Sequence, residues 1–237
     1  MSGSVDIQLV ATAAEAAEAS ALFDAVWEIP AMVPHEVIVA AIHGGGYCAI
    51  ARLDGQVVGA SFALASHNGT LHSHVTGVAR ANAGAGIGAQ IKLHQWYWAQ
   101  AHKYRAIGWT FDPLVRRNAW FNLVKLGAHV SSYHENFYGE LTDAINAGDR
   151  SDRLYVKWDV SASGAPKPGV SVAANSGDVL VPTPQDIEAI RRTDRQAALD
   201  WRNRQRDLLN VLLRPEAFVR GFTDESEYVI STTQDRA

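Results

Sequence analysis

The chain has 237 residues, 47% hydrophobic and 19% charged, with a formal charge of −4. That length suits one or two domains at ~100–200 residues each, and the acidic balance excludes the basic footprint that nucleic acid requires. Cys48 is the single cysteine, so no intrachain disulfide forms, and its apolar run Tyr47-Cys48-Ala49-Ile50 reads as a buried small hydrophobe in a reducing compartment. Met1 to Asp6 carries no basic or apolar leader region. No apolar run reaches the ~18 residues of a membrane span, so a cytoplasmic protein with no membrane partner is expected.

Residues 5–11 begin as an alternating strand. Thr12, with Glu15 three residues on, makes a capping-box signature. Leu22, Val26 and Ile29 then recur at helical spacing until Pro30 and Pro34. A second short helix is predicted over 35–42, broken by Gly44-Gly45-Gly46. Residues 47–53 and 56–65 read as strands joined by the hairpin signal Asp54-Gly55. A turn at His67-Asn68-Gly69 leads to a third strand over 71–78. A long helix is expected from Gly88 to about 103, then a strand over 106–111 ended by Asp112-Pro113. A helix over 118–126 closes on Gly127, and strands follow over 130–137 and 154–160.

Residues 161–177, rich in Ser, Gly, Ala and Pro, read as a linker or long loop. A short strand over 179–181 precedes one long helix predicted over 184–213. Its Arg191, Arg192, Arg195, Arg202, Arg204 and Arg206 interleave with Asp194, Asp200 and Asp207, which reads as a solvated, salt-bridged face. A last strand is expected over 228–231.

The segment Gly84-Ala85-Gly86-Ile87-Gly88-Ala89 stands between a strand and a helix. Glycines let the backbone approach an anion, and the amides of a first helical turn point at it. The run also satisfies the dinucleotide pattern G-x-G-x-x-G/A. That pattern expects a preceding βαβ strand and an acidic residue ~20 positions on. Here antiparallel strands come first, and Asp112, followed by Pro113, lies farther away.

The run from Val78-Ala79-Arg80 through Gly84-Ala85-Gly86-Ile87-Gly88-Ala89 to Ile91 resembles the acetyl-CoA motif of the GNAT superfamily of N-acetyltransferases. Asn118-Ala119-Trp120-Phe121-Asn122-Leu123-Val124-Lys125-Leu126-Gly127 looks like that superfamily's second motif. The order of elements over residues 5–160 is similar too. Three further runs, Thr110 to Leu114, Asn136 to Gly139 and Asp149 to Leu154, look like a bacterial branch of predicted acetyltransferases. The resemblance implies an α+β fold with a mixed central sheet flanked by helices. It gives an acyl-CoA-binding domain over 1–160, and residues 161–237, outside the resemblance, read as a C-terminal helical and strand extension that packs on that domain or forms a homodimer contact. It implies acetyl-CoA, or another short acyl-CoA, as cosubstrate. Two positions depart from the pattern: the Arg or Gln of the first motif is Ala83, and the tyrosine of the second is Leu123.

Acyl transfer to an amine requires loss of a proton from the ammonium, a donor to the thioester oxygen, and protonation of the leaving thiolate. His72 and His74, at i and i+2 on one strand, share a face and suit proton relay near neutrality. They match a His-x-His pair of the serotonin N-acetyltransferase branch, where the two serve as base and relay. By the resemblance, the Val78 amide is the oxyanion donor. The CoA cradle is Val78, Ala79, Arg80 and Gly84 to Ala89, and Asn118 meets the pantetheine arm. Asn118 also fits the N-cap of its helix. Tyr138 and Tyr133 are candidates for the missing acid. Arg116 and Arg117 are candidates for a CoA phosphate or a substrate carboxylate, or are plain surface charges. His94 and His102 lack a third ligand at a fitting spacing, so no metal site is expected. The expected activity is N-acylation of a small-molecule amine, such as an amino acid, by direct attack in a ternary complex. A non-catalytic CoA-binding regulatory module and a protein-lysine acetyltransferase are the alternatives.

Overall fold

The computed structural model describes residues 4–66, 68–139 and 149–232, so Met1 to Gly3, His67 of the predicted turn, 140–148 and 233–237 lie outside the described residues. By internal contacts the chain divides into two compact units, 1–108 with 159–166 and 109–158 with 167–237, which do not coincide with a single cut at 160.

The first unit holds β1 (Asp6–Leu9), α1 (Ala13–Trp27), α2 (His35–His43), β2 (Tyr47–Leu53), β3 (Gln56–Leu64), β4 (Thr70–Val78), α3 (Ile87–Ala101) and the start of β5 (Ala106–Phe111). Strand order is β1-β2-β3-β4-β5. Neighbours are antiparallel up to β4, and β4 runs parallel to β5, so the sheet is mixed. The crossover between the two parallel strands is α3, as parallel pairing demands.

Local chemistry explains these elements. Thr12 caps α1: its hydroxyl accepts from the Glu15 amide at 3.2 Å, and the Glu15 carboxylate accepts from the Thr12 amide at 3.0 Å. Asp54 and Gly55 take φ of 51° and 81°, as a tight hairpin turn needs. On one sheet face α1 and α2 bury Phe23 and Ile38 with Ile50, Phe62 and Val75. On the other, α3 buries Ile87 and Ile91 with Ala51 and Val58. Each such side chain contributes about 1.5–3 kcal/mol.

The second unit holds the end of β5, α4 (Arg116–Ala119), a wide helical turn Trp120–Lys125, β6 (His129–His134) and most of β7 (Arg153–Asp159), in strand order β5-β7-β6. The wide turn closes through a five-residue bond, Leu126 N–H to Phe121 O at 2.9 Å. Later come β8 (Val179–Pro182), α5 (Ile187–Thr193), α6 (Arg195–Leu209), β9 (Ala217–Phe222) and β10 (Glu227–Thr232). The last three strands form an antiparallel sheet in the order β8-β10-β9.

Two readings are corrected here. The helix predicted over 184–213 is two helices, because Asp194 leaves helical geometry (φ −148°) and caps α6, accepting from Ala197 N–H at 2.9 Å. The arginine face is not wholly solvated. Arg202 is 1% exposed, on the inward stripe with Ala198, Gln205 and Leu209, and it meets Asp112 and Asp149 rather than the interleaved aspartates. Residues 161–177, expected as a linker or long loop, carry no regular secondary structure and are tied down by hydrogen bonds. Gln100 donates to the carbonyls of Ser161 and Gly164 in the first unit, and Val172 N–H donates to Phe222 O in the second.

Candidate functional site

The site is built on β4. Ser73 faces α3, where Lys92 Nζ donates to its hydroxyl at 3.0 Å and to Gln95 Oε1 at 2.9 Å. Gln95 in turn donates to Ser61, whose hydroxyl bonds Thr76 at 2.8 Å. Pairing with β3 slips at the next residue: Ala63 opposes Ser73 and Phe62 opposes Val75, so His74 is an inserted bulge residue. The His74 ring stands edge-on to Phe62, a member of the α1–α2 core, at 6.1 Å between centroids, and 6.2 Å from His72. Both histidines therefore lie on the α1–α2 side, with Lys92 behind the strand.

Burial lowers the basicity of His72, helped by His74 and Lys92, and burial alone lowers that of His74. Both rings are therefore neutral at pH 7, able to accept a proton. Fully buried Lys92 is brought down to about 7 by desolvation.

The ladder from β4 to β5 pairs Thr70 with Ala106, Leu71 with Ile107 and His72 with Gly108, and ends there. Beyond His72, β4 continues to Val78 against β3 alone within the first unit. Ala79 N–H donates to Val58 O at 2.8 Å. Successive amides of a strand point to opposite sides, so the Val78 N–H points away from β3. On the α1–α2 face, Gly77 leaves room for Trp27, whose ring a Cβ would meet at 2.7 Å.

After β4 come a short turn, Arg80–Asn82, and the glycine segment. Gly84 and Gly86 take φ of 83° and 81°, which disfavour any side chain. Gly86 is the N-cap of α3, so the first-turn amides of Ile87 and Gly88 have no carbonyl within the helix. Gly88 is in helical geometry, and a Cβ there meets only Val78 Cγ2 at 3.7 Å, an ordinary contact. Arg80 pairs with Glu28 at 2.9 Å on the surface. Thus His72, His74, Val78, Ala79, Arg80 and Gly84 to Ala89 all belong to the first unit.

Asn118 and Tyr138 belong to the second. Asn118 is not the helix N-cap, since Val115 holds that position and its carbonyl accepts from Asn118 N–H. Tyr138 is 49% exposed, and its hydroxyl bonds Thr110 Oγ1 at 3.1 Å. Tyr133 fails as the acid: it is buried and donates to Asp152 at 3.0 Å, and burial with that carboxylate pushes its phenol far up. Arg116 donates to Thr183, and Arg117 forms an ion pair with Glu188, so the carboxylate-acceptor reading loses its sequence support.

Cys48 is buried with its thiol pushed up to about 12, which leaves no thiolate nucleophile. His94 bonds the Tyr47 hydroxyl at 2.9 Å and His102 the Trp98 carbonyl at 2.8 Å. Among the described residues no group of three or more His, Cys, Asp or Glu gathers as metal ligands, and no helix is long and apolar enough to cross a membrane.

Sequence reasoning missed Lys92 and the bulge at His74. For Lys92 a signal existed: it falls with Gln95 on the inward stripe of Ile87, Ile91, Trp96 and Ala99. The bulge leaves no trace in the residue types.

No family model matches the sequence, and no curated protein matches it. Solved structures do match in shape. The ribosomal-protein-S18-alanine N-acetyltransferase of Escherichia coli superposes with a TM-score of 0.55 at 12% identity, over 68% of this chain and 97% of its own. An N-acetyltransferase of Staphylococcus aureus gives 0.55 at 14%, over 67% and 99%. An acetyltransferase of Bacillus subtilis, in complex with CoA, gives 0.52 at 15%, over 67% and 100%. The chain therefore has the fold of the GNAT-family acetyltransferases.

Proposed function

We propose that the protein is an acyl-CoA-dependent N-acyltransferase, with acetyl as the default group and a small-molecule amine as acceptor. The observation that carries the reading is that Ala79 N–H bonds Val58 O, so the Val78 amide points away from β3 immediately before a glycine segment whose Gly84 and Gly86 take positive φ. In this reading the amides at the start of α3 hold the pyrophosphate, and Gly84 and Gly86 give the backbone its turn. The Val78 N–H bonds the thioester oxygen as it gains charge. His72 or His74, neutral at pH 7, takes the proton of the ammonium directly or through water. The amine nitrogen then attacks the carbonyl carbon, the adduct loses the nitrogen's second proton to solvent as the carbon–sulfur bond breaks, and the leaving thiolate takes up a proton from its donor. Asn118 as the pantetheine contact and Tyr138 as the donor of that proton rest on the family resemblance and on Tyr138's exposed hydroxyl.

A thermal unfolding scan with acetyl-CoA tests the cradle. Ligand at ~100 times its dissociation constant adds about 2.7 kcal/mol, a rise of roughly 5–10 °C for a chain of this size. Free CoA shifts the midpoint too, and NAD does not. Replacing both His72 and His74 by alanine abolishes thiol release while the shift survives. Leu123 and Ala83, the two departures from the motifs, favour a CoA-binding module without turnover. That second reading takes over if acetyl-CoA binds and no amine of a broad panel releases thiol.

A further inference from the structure

Ser73 and Thr76 stand three residues apart on β4. In a regular strand an odd spacing puts two side chains on opposite faces. Here both meet one buried network on the α3 side. Lys92 Nζ donates to Ser73 Oγ at 3.0 Å and to Gln95 Oε1 at 2.9 Å. Gln95 Nε2 donates to Ser61 Oγ at 3.2 Å, and that hydroxyl bonds Thr76 Oγ1 at 2.8 Å. The bonds thus grip β4 on both sides of the bulge at His74. Ser61, Ser73, Lys92 and Gln95 are all buried.

The inserted residue is what lets both ends be satisfied. Before it, His72 and His74 face α1–α2 and Ser73 faces α3. Past it, Val75 joins the α1–α2 core and Gly77 lies against Trp27 there, while Thr76 and Val78 face α3. A β4 without the insertion keeps only one half of this pattern, since a one-residue slip reverses every side chain beyond it. With Thr76 and Val78 kept toward α3, both histidines would turn to α3 as well, and Ser73 would enter the apolar core. With the histidines kept in place, Thr76 would enter that core instead. Either way a buried hydroxyl and its partners lose hydrogen bonds, which is costly where water does not reach. A fully bonded polar network fixes one arrangement of the strand.

We propose that Lys92, Gln95 and Ser61 are positioning residues: their bonds to Ser73 and Thr76 hold the register that turns His72 and His74 to the α1–α2 face, where the proposed reaction has its base. The kinetic consequence rests on the acyltransferase reading, and the geometric one does not. Lys92 stands behind the strand, so it acts through β4 and not on the reacting atoms. All of these residues belong to the first unit.

The test pairs NMR of the full chain, which needs no turnover, with steady-state thiol release. The native chain gives a nuclear Overhauser contact between the rings of His74 and Phe62, which stand edge-on at 6.1 Å between centroids. Gln95→Met, similar in volume but without the two hydrogen bonds, loses that contact and lowers kcat by about 10–100-fold, with KM for acetyl-CoA held within about twofold. Gln95→Glu, whose carboxylate accepts from Lys92 and from the Ser61 hydroxyl, restores the contact and most of kcat. Ile91→Val trims the same buried helix face outside the network and changes neither. Thr76→Val, which deletes one hydroxyl, gives the same reading where Gln95→Met does not fold. The proposal is overturned by a native chain without the His74–Phe62 contact, by a folded Gln95→Met that keeps the contact or an undiminished kcat, or by a loss that Ile91→Val reproduces. A native chain that releases no thiol with any amine removes the acyltransferase reading alone, and the ring contact then decides the positioning.

Discussion

His72 and His74 stand 6.2 Å apart on the α1–α2 side of β4, while Ser73 between them faces the buried amine of Lys92 on the other side. Desolvation lowers both imidazoles, so the proton-accepting form exists at and below neutrality. The acid limb of kcat/KM, followed by thiol release, is expected to have its midpoint below the ordinary imidazole value of about 6.5. A midpoint at or above that value removes burial as the tuning device. Replacing the acting histidine by glutamine lowers kcat by about 10²–10⁴.

The three glycines of the cradle are predicted to separate by role. Gly84→Ala and Gly86→Ala force an alanine to positive φ, at about 1–2 kcal/mol each, and lower the melting midpoint without ligand. Gly88→Ala has room in the free protein and favours the helix by up to ~1 kcal/mol. Its midpoint holds or rises, while its acetyl-CoA shift shrinks if, as proposed, phosphate approaches the backbone at Gly88. An undiminished shift in Gly88→Ala means that the pyrophosphate is held elsewhere.

Lys92 makes stability depend on alkalinity. Its amine is depressed from the ordinary lysine value to about 7. Between those limits the unfolded chain holds a proton that the folded chain does not, so stability rises with pH through that window and is flat below it on this account. Urea unfolding of the native chain and of Lys92→Met at pH 7 and pH 9.5 reads the difference. The native chain gains relative to the variant at the higher pH, by an amount on the order of 1–3 kcal/mol. A pH-independent difference between the two shows that the amine is not titrating in this range.

Asp112 couples α5 and α6 to the loop that follows β5, through Arg191 and Arg202 respectively. Those arginines hold its carboxyl well below the usual range despite burial. Its contribution is therefore present above about pH 4 and lost as pH falls through the lowered value. Asp112→Asn leaves two guanidiniums short of a partner and destabilises by about 3–5 kcal/mol, measurable as a fall in the urea midpoint. Arg117→Ala, at an exposed pair, changes the same midpoint by less than about 1 kcal/mol.

Local signals accounted for most elements of the first unit. The capping box at Thr12, the turn at Asp54-Gly55 and the glycines before α3 each fix their conformation from neighbours in sequence. The second unit was less legible, because its order rests on partners far apart in the chain. Arg202 looks like surface charge until Asp112 and Asp149, dozens of residues earlier, are seen to meet it. In the same way Arg116 finds Thr183, and Tyr133 finds Asp152. The His72–His74 pair was visible as an i, i+2 spacing. Its bulge was not, since register between strands is set by pairing and not by any one residue.

Residues 159–166 return to the first unit after the chain has already laid down part of the second. Trp96 Nε1 donates to the carbonyl of Asp159 at 2.9 Å, and Val160 N–H donates to that of Arg105 at 2.9 Å. On a ribosome, the amino-terminal unit emerges early yet cannot finish until this returning segment has cleared the exit tunnel. A gene shortened to end before it would encode a protein missing its own last seam, whatever the completeness of its catalytic motifs.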